Sequence, residues 1–131
     1  MAFPAIAHVA VTVTDLASSS AWYERLLGVP PVLDEDAGGF WHTVYPLAGG
    51  GLFGLHVHPQ TDSEDRFDAR RVGLDHVGFG CENRAEVEAW QSKLDELGIA
   101  HGGIVDAAYG SGLSFKDPNG NALEFFAPPA E

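Results

Sequence analysis

The sequence predicts an α+β fold of two βαβββ modules, and three observations support this prediction. A strand-like segment that contains His8 recurs in the second half of the chain around His76. Each segment is followed by apolar residues at helical spacing, with a capping residue before the helix and a glycine after it. Near the end of the chain, residues 117–120 (Asp-Pro-Asn-Gly) stand between two apolar stretches, which is typical of a β-hairpin.

The first predicted module covers residues 4–59. Its first segment alternates between an apolar face and a smaller, more polar face, as a strand with one buried face does. Asp15 is placed to cap the following helix, Gly28 to end it, and two prolines then break the chain. The predicted elements are strand 6–13, helix 16–27, strand 40–47 and strand 52–58.

The second predicted module covers residues 73–128 and follows a charged, aperiodic linker over residues 60–72. Asn83 with Glu86 three residues later resembles a capping box, and Gly98 closes the helix. The predicted elements are strand 74–81, a helix that buries Val87, Trp90, Leu94 and Leu97, strand 99–105, strand 112–116 and the strand 122–126 after the hairpin turn.

Two equivalent modules predict how the chain buries its apolar surface. One module has a sheet covered by a helix on one side only, and it cannot easily bury both faces alone. We therefore expect a pseudo-twofold arrangement that forms a curved, partly closed mixed sheet with the helices outside. In this arrangement the polar strand faces line a concave interior.

Repeat-related residues on the polar faces form a candidate metal site. His76 occupies in the second module the place of His8 in the first, and Glu124 lies on the polar face of the last strand. Glu124 follows His76 by 48 residues, and the same step from His8 ends at His56. A lone strand histidine is more often an ordinary buried residue. A set of imidazoles and a carboxylate on one concave face instead suits Zn²⁺, Fe²⁺, Mn²⁺ or Ni²⁺.

The composition of the chain argues against nucleic-acid-binding and membrane-bound functions. The chain has 7 basic and 19 acidic residues and a formal charge of −12, which opposes binding to nucleic acids or anionic membranes. No apolar run approaches the roughly 20 residues of a membrane span, and the N-terminus lacks a signal-peptide pattern. The single cysteine, Cys81, fits a reducing compartment. We therefore expect a cytoplasmic protein that binds neither nucleic acids nor membranes.

These segments together resemble the vicinal oxygen chelate superfamily, which includes glyoxalase I, bleomycin-resistance proteins and extradiol dioxygenases. The matching segments are 8–15, 22–28, 74–77, 94–98 and 115–121 with Glu124. The resemblance implies paired βαβββ modules around a divalent metal, held by His8, His76 and Glu124, with His56 in the fourth position. It also implies a homodimer and a small-molecule substrate.

The resemblance leaves three activities open. With all four ligands we expect proton abstraction beside a carbonyl, as in lyases and isomerases, with Glu124 or His42 as the base. If His56 stays off the metal, the remaining two histidines and one carboxylate suit an Fe²⁺ ring-cleaving dioxygenase. The third alternative is a metal-free drug-binding protein of the bleomycin-resistance type. His58 is a rival ligand, a base beside the metal ligands or a surface residue near Pro59, and the sequence favours the last of these. His101 is expected in a solvated loop.

Overall fold

The chain divides into two compact units, each with one helix and one four-stranded sheet. The computed structural model describes residues 1–130. The first unit covers Met1–Asp65 and the second begins at Arg66, a boundary that lies inside the segment 60–72. Neither helix among the described residues has the length and hydrophobicity needed to span a bilayer.

Both units have the element order strand, helix, three strands. The elements of the first unit are β1 (His8–Thr12), α1 (Leu16–Leu27), β2 (Leu33–Asp36), β3 (Trp41–Pro46) and β4 (Leu52–Val57), with a short 3₁₀ turn at Ala48–Gly50 between β3 and β4. Those of the second unit are β5 (Val77–Gly80), α2 (Arg84–Glu96), β6 (His101–Ala107), β7 (Gly110–Lys116) and β8 (Ala122–Ala127). The predicted α+β class and the βαβββ modules are confirmed.

The two sheets have the same topology. Their strand orders are β1-β4-β3-β2 and β5-β8-β7-β6. In each sheet the first strand runs parallel to the last strand of its own unit, and the other neighbours are antiparallel. The helix provides the crossover that a parallel strand pair requires. This topology brings the first and last strands of each unit side by side.

The helix ends follow the predicted capping chemistry. Asp15 accepts a hydrogen bond from the backbone N–H of Ser18 at 3.2 Å, and Gly28 ends α1 with φ 71°. At α2, Asn83 accepts from the backbone N–H of Glu86 at 3.0 Å. The return contact of the capping box differs from the prediction, because the Glu86 carboxylate accepts from the backbone N–H of Glu82 rather than from that of Asn83.

Apolar faces pack each helix against its own sheet. In the first unit the fully buried side chains include Tyr23 of α1 and Phe53 and Leu55 of β4. In the second unit the Trp90 ring of α2 stacks on Phe125 of β8, with centroids 4.5 Å apart. Cys81 lies in this core, and burial raises the pKa of its thiol. Because the thiol is buried and neutral, Cys81 is a packing residue and not a nucleophile.

The turn between β7 and β8 is held by a buried carboxylate. Asp117 accepts hydrogen bonds from the backbone N–H groups of Asn119 and Asn121 and from the side-chain amide of Asn121, at 2.8–2.9 Å. Gly120 has φ 79°, a conformation that glycine adopts without strain. The predicted hairpin is confirmed, and it fixes the register that points Glu124 away from the core.

Three strands differ from the sequence prediction. The βαβββ order requires the strand β2, but its position was not predicted, because Leu33–Asp36 is short, acidic and without a buried residue and has no apolar alternation. Strand β5 is shorter than predicted, so that His76 directly precedes it instead of lying within it. The predicted strand 99–105 is shifted to His101–Ala107, which places His101 on β6 and not in a loop.

Candidate metal centre

Glu124 lies in the middle of β8, on the face opposite the apolar core. It pairs with Gly78 of β5 and with Ser114 of β7. Its neighbours Leu123 and Phe125 are buried in the core, whereas the Glu124 side chain is 24% exposed. The alternation of side chains along a strand therefore presents this carboxylate on the polar face, as predicted.

Glycines leave space around this carboxylate. A Cβ at Gly112 would lie 2.8 Å from Glu124 Oε2, and a Cβ at Gly78 would lie 3.7 Å from Oε1. The first distance is shorter than a normal Cβ contact, so any side chain at position 112 would require the carboxylate to move. Both oxygens of Glu124 are thus bordered by bare backbone.

His76 brings an imidazole to the same carboxylate. Its Nε2 lies 3.8 Å from Glu124 Oε1, and its ring is 49% exposed. Two ligand atoms on one metal lie about 3–3.5 Å apart when each bond is about 2.0–2.2 Å long. The pair is therefore close to the spacing that a shared cation requires, and nitrogen with oxygen is a donor set that Zn²⁺, Fe²⁺, Mn²⁺ and Ni²⁺ accept. His76 and Glu124 can therefore supply two of the ligands of a divalent metal.

The first unit carries a separate group of aromatic and imidazole rings on the polar face of its sheet. His42 of β3 pairs with His56 of β4, and their ring centroids are 6.0 Å apart. The Phe40 ring stacks on His56 at 4.7 Å and on His58 at 5.2 Å. His42 Nε2 lies 3.3 Å from Glu35 Oε1. His42 thus has a carboxylate partner that orients its ring.

The environment of His56 disfavours its protonated form. Partial burial lowers the pKa of His56, and the neighbouring histidines His58, His42 and His8 lower it further. A neutral imidazole can accept a proton or donate a lone pair to a metal. Burial, together with the nearby histidines, therefore favours the neutral form of His56 that either role needs.

The strand register corrects the predicted repeat equivalence of His56 and Glu124. Glu124 pairs with Gly78, two residues after His76, and the matching pair in the first unit is Ala10 with Gly54. The equal separation of 48 residues is misleading because it also counts helix and loop residues, whose numbers differ between the units. In the register, the residue equivalent to Glu124 is Gly54, and His56 lies one strand period beyond it.

His8 and His56 share a face of the first sheet but are not adjacent. His8 pairs with Leu52 and His56 with Thr12, so their backbone positions lie four residues apart along these strands, which is about 13 Å at the rise of a parallel strand. The His56 ring leans back over Gly54, 3.8 Å from where a Cβ of that residue would be, and so reduces the distance to the His8 side chain. Within either unit, no three His, Cys, Asp or Glu side chains of residues 1–130 are close enough together to hold a metal ion. The His76–Glu124 pair is thus the best-formed part of the predicted site, and the assignment of His8 and His56 as ligands stays a prediction.

A family model decides the classification. The model of the Glyoxalase/Bleomycin resistance protein/Dioxygenase superfamily matches residues 5–125. The chain belongs to this superfamily. The match spans both units and so agrees with the resemblance to vicinal oxygen chelate proteins. No curated protein matches the chain at a significant level.

Solved structures of the glyoxalase superfamily share this fold. A glyoxylase/bleomycin resistance protein/dioxygenase domain from Frankia sp. EAN1pec is 27% identical, covers 98% of this chain and 100% of its own, and has a TM-score of 0.87. A lactoylglutathione lyase from Agrobacterium tumefaciens is 25% identical, with coverage of 94% and 92% and a TM-score of 0.70. A mutant of the fosfomycin resistance protein FosX from Listeria monocytogenes, complexed with Mn(II) and a dihydroxypropylphosphonic acid, is 15% identical, with coverage of 99% and 94% and a TM-score of 0.71. The FosX likeness concerns the fold alone.

The sequence did not predict the carboxylates that contact His76 and His42. Asp75 Oδ1 lies 2.7 Å from His76 Nδ1, and Glu35 contacts His42. Asp75 directly precedes His76 in the sequence, and this adjacency was the only available signal for the first pair. The second pair depends on the unpredicted strand β2, which carries Glu35.

Proposed function

We propose that this protein is a metal-dependent enzyme that removes a proton beside a carbonyl group of a small substrate with vicinal oxygens. The observation that carries the proposal is the approach of His76 Nε2 to Glu124 Oε1, 3.8 Å apart on a face cleared by Gly78 and Gly112. Membership of the glyoxalase superfamily and the likeness to a lactoylglutathione lyase support a lyase or isomerase reaction.

The proposed ligands of the metal are His76 and Glu124, together with His8 and His56 as the sequence predicts. A divalent ion bound there would polarise the substrate carbonyl and stabilise the negative charge that develops on it. The proposal leaves Zn²⁺, Fe²⁺, Mn²⁺ and Ni²⁺ as candidates because each accepts imidazole and carboxylate ligands.

The chain offers two candidate bases for the proton transfer. Glu124 has a second oxygen, Oε2, which faces the bare backbone of Gly112. His42 contacts the Glu35 carboxylate through Nε2. Since a carboxylate accepts hydrogen bonds, this contact favours the proton on Nε2 and leaves Nδ1 as the basic atom.

Solvent exchange tests the proposal without knowledge of the natural substrate. The protein is stripped with a chelator, reloaded separately with each of the four metals and incubated in D₂O with a panel of α-hydroxycarbonyl compounds. We expect metal-dependent exchange of the α-proton, measured by ¹H NMR. Glu124→Gln should slow the exchange by about 100-fold or more, since a general base contributes on that scale.

The matched control is Glu96→Gln, which changes an exposed carboxylate on α2 and should leave the rate unchanged. His42→Gln identifies the second base if it slows exchange in metal-loaded protein. An exchange rate that depends neither on the metal nor on Glu124→Gln contradicts the proposal. Cleavage of a catechol ring with Fe²⁺ and O₂ would instead assign the dioxygenase alternative. Tight binding of a cationic drug that a chelator does not alter would assign the drug-binding alternative.

A further inference from the structure

The two ring nitrogens of His76 face two different carboxylates at different distances. Nδ1 lies 2.7 Å from Asp75 Oδ1, and Nε2 lies 3.8 Å from Glu124 Oε1. The first distance is that of a strong hydrogen bond, and the second exceeds the hydrogen-bond range. The carboxylates therefore have different roles toward the same ring.

The short contact determines where a neutral His76 ring carries its proton. A carboxylate accepts hydrogen bonds and does not donate them, so the contact with Asp75 places the proton on Nδ1. Nε2 is then left with its lone pair, and this atom is the one near Glu124. A free neutral imidazole prefers its proton on Nε2, so Asp75 reverses the intrinsic preference of the ring.

We propose that Asp75 is a positioning residue that holds the His76 proton on Nδ1 and thereby presents Nε2 to a divalent metal. The inference rests on the proposed function in one respect, namely that His76 is a ligand. Partners of this kind fix the tautomer and the ring orientation of a metal-binding histidine, and their loss typically weakens metal binding by about 10- to 100-fold.

The chain contains a second carboxylate–histidine pair, in which the carboxylate contacts Nε2 of the ring instead of Nδ1. Asp95 Oδ1 lies 2.7 Å from His101 Nε2, while His101 Nδ1 accepts a hydrogen bond from the backbone N–H of Gly103 at 3.0 Å. The His101 proton is therefore on Nε2, and both of its nitrogens are occupied. The two carboxylate contacts are equally short, but only His76 keeps a ring nitrogen available for a metal, whereas both nitrogens of His101 already have hydrogen-bond partners.

The test is long-range ¹H–¹⁵N correlation NMR of the metal-free full chain at about pH 8, where an ordinary imidazole is neutral. We expect the proton of His76 on Nδ1 in the wild-type protein and on Nε2 in Asp75→Ala. The His101 signal should report a proton on Nε2 in both proteins and serves as the internal reference. Asp75 is exposed, so its truncation should leave the fold intact.

Competition titration with Zn²⁺ and a chromophoric chelator provides the second readout. We expect Asp75→Ala to weaken Zn²⁺ binding by about 10- to 100-fold and Asp95→Ala to leave it unchanged. An unaltered His76 tautomer in Asp75→Ala overturns the inference. If His76→Gln weakens Zn²⁺ binding but Asp75→Ala does not, the role of Asp75 alone is overturned. If His76→Gln leaves the Zn²⁺ affinity unchanged, the assignment of His76 as a ligand in the proposed function is overturned instead.

Discussion

The orientation of the Glu124 carboxylate depends on a residue that has no side chain. Gly112 lies on β7, and a Cβ at that position would lie only 2.8 Å from Oε2 of the Glu124 carboxylate. The end of a glutamate side chain is flexible and can move away from an added methyl group at low cost. A substitution at position 112 should therefore displace the carboxylate without unfolding the sheet.

Gly112→Ala is the corresponding prediction. We expect it to weaken divalent metal binding at least about tenfold, on the scale of other changes that misorient a ligand, with little change in the free energy of unfolding. The matched control is Gly80→Ala on β5, because a Cβ at that position would contact nothing within 4 Å. Equal metal affinity in the two variants would show that the displaced carboxylate is not a ligand.

The sequence predicted the direction of a side chain correctly where alternation along a single strand determines that direction. The direction in which Glu124 points follows from alternation along β8 and was predicted. The equivalence of His56 to Glu124 was wrong, because equal spacing in sequence does not specify the register between β1 and β4. The contact between Asp75 and His76 was not predicted, because the sequence places both residues in a strand over 74–81, where adjacent side chains point to opposite faces, whereas β5 begins only at Val77.

At the scale of secondary-structure elements, one charge network ties the start of α2 to the edge strand β6. Arg84 donates to Asp106 from Nε and from a terminal nitrogen at 2.9 and 3.0 Å, and it also contacts Glu88. Ser111 of β7 donates to the same aspartate at 2.6 Å. These contacts join three elements around one carboxylate.

The hydrogen bond from Arg84, followed by that from Ser111, lowers the pKa of Asp106 from 3.8 to about 2. A carboxylate whose pKa is lower in the folded state stabilises the fold above its unfolded pKa, and this contribution is lost as the pH falls toward the folded value. We therefore expect Asp106→Asn to flatten the dependence of unfolding free energy on pH between about 4 and 2. Urea titrations across that range measure it, with Glu96→Gln as control. A ¹³C titration of Asp106 with an ordinary midpoint would contradict the expectation.

Elements were predictable where local chemistry defines them. Both helices begin at a capping residue and end near a glycine that the sequence displays. Strand β2 is different, because three of its four residues are acidic and none of the four is buried. It exists because its backbone pairs with β3, a contact between distant residues that no local pattern reveals.

At the scale of the whole chain, the repeated βαβββ order is the feature that the sequence displays best. The recurrence of His8 as His76 identified two modules, and both units have the same strand order. The net charge of −12 describes the surface and its repulsion of anionic partners, not the reaction. The homodimer and the cytoplasmic location remain predictions, which sedimentation and fractionation can test.

The most direct test of the account is calorimetric titration of chelator-stripped protein with Zn²⁺. We expect one ion per chain, and we expect His76→Gln and Glu124→Gln each to weaken binding by about 100-fold, the loss of a direct ligand being at least as costly as the loss of its partner. His8→Gln should act similarly if the predicted third ligand is correct, and His101→Gln should have no effect. Zn²⁺ affinity that is unchanged by both His76→Gln and Glu124→Gln would contradict the account.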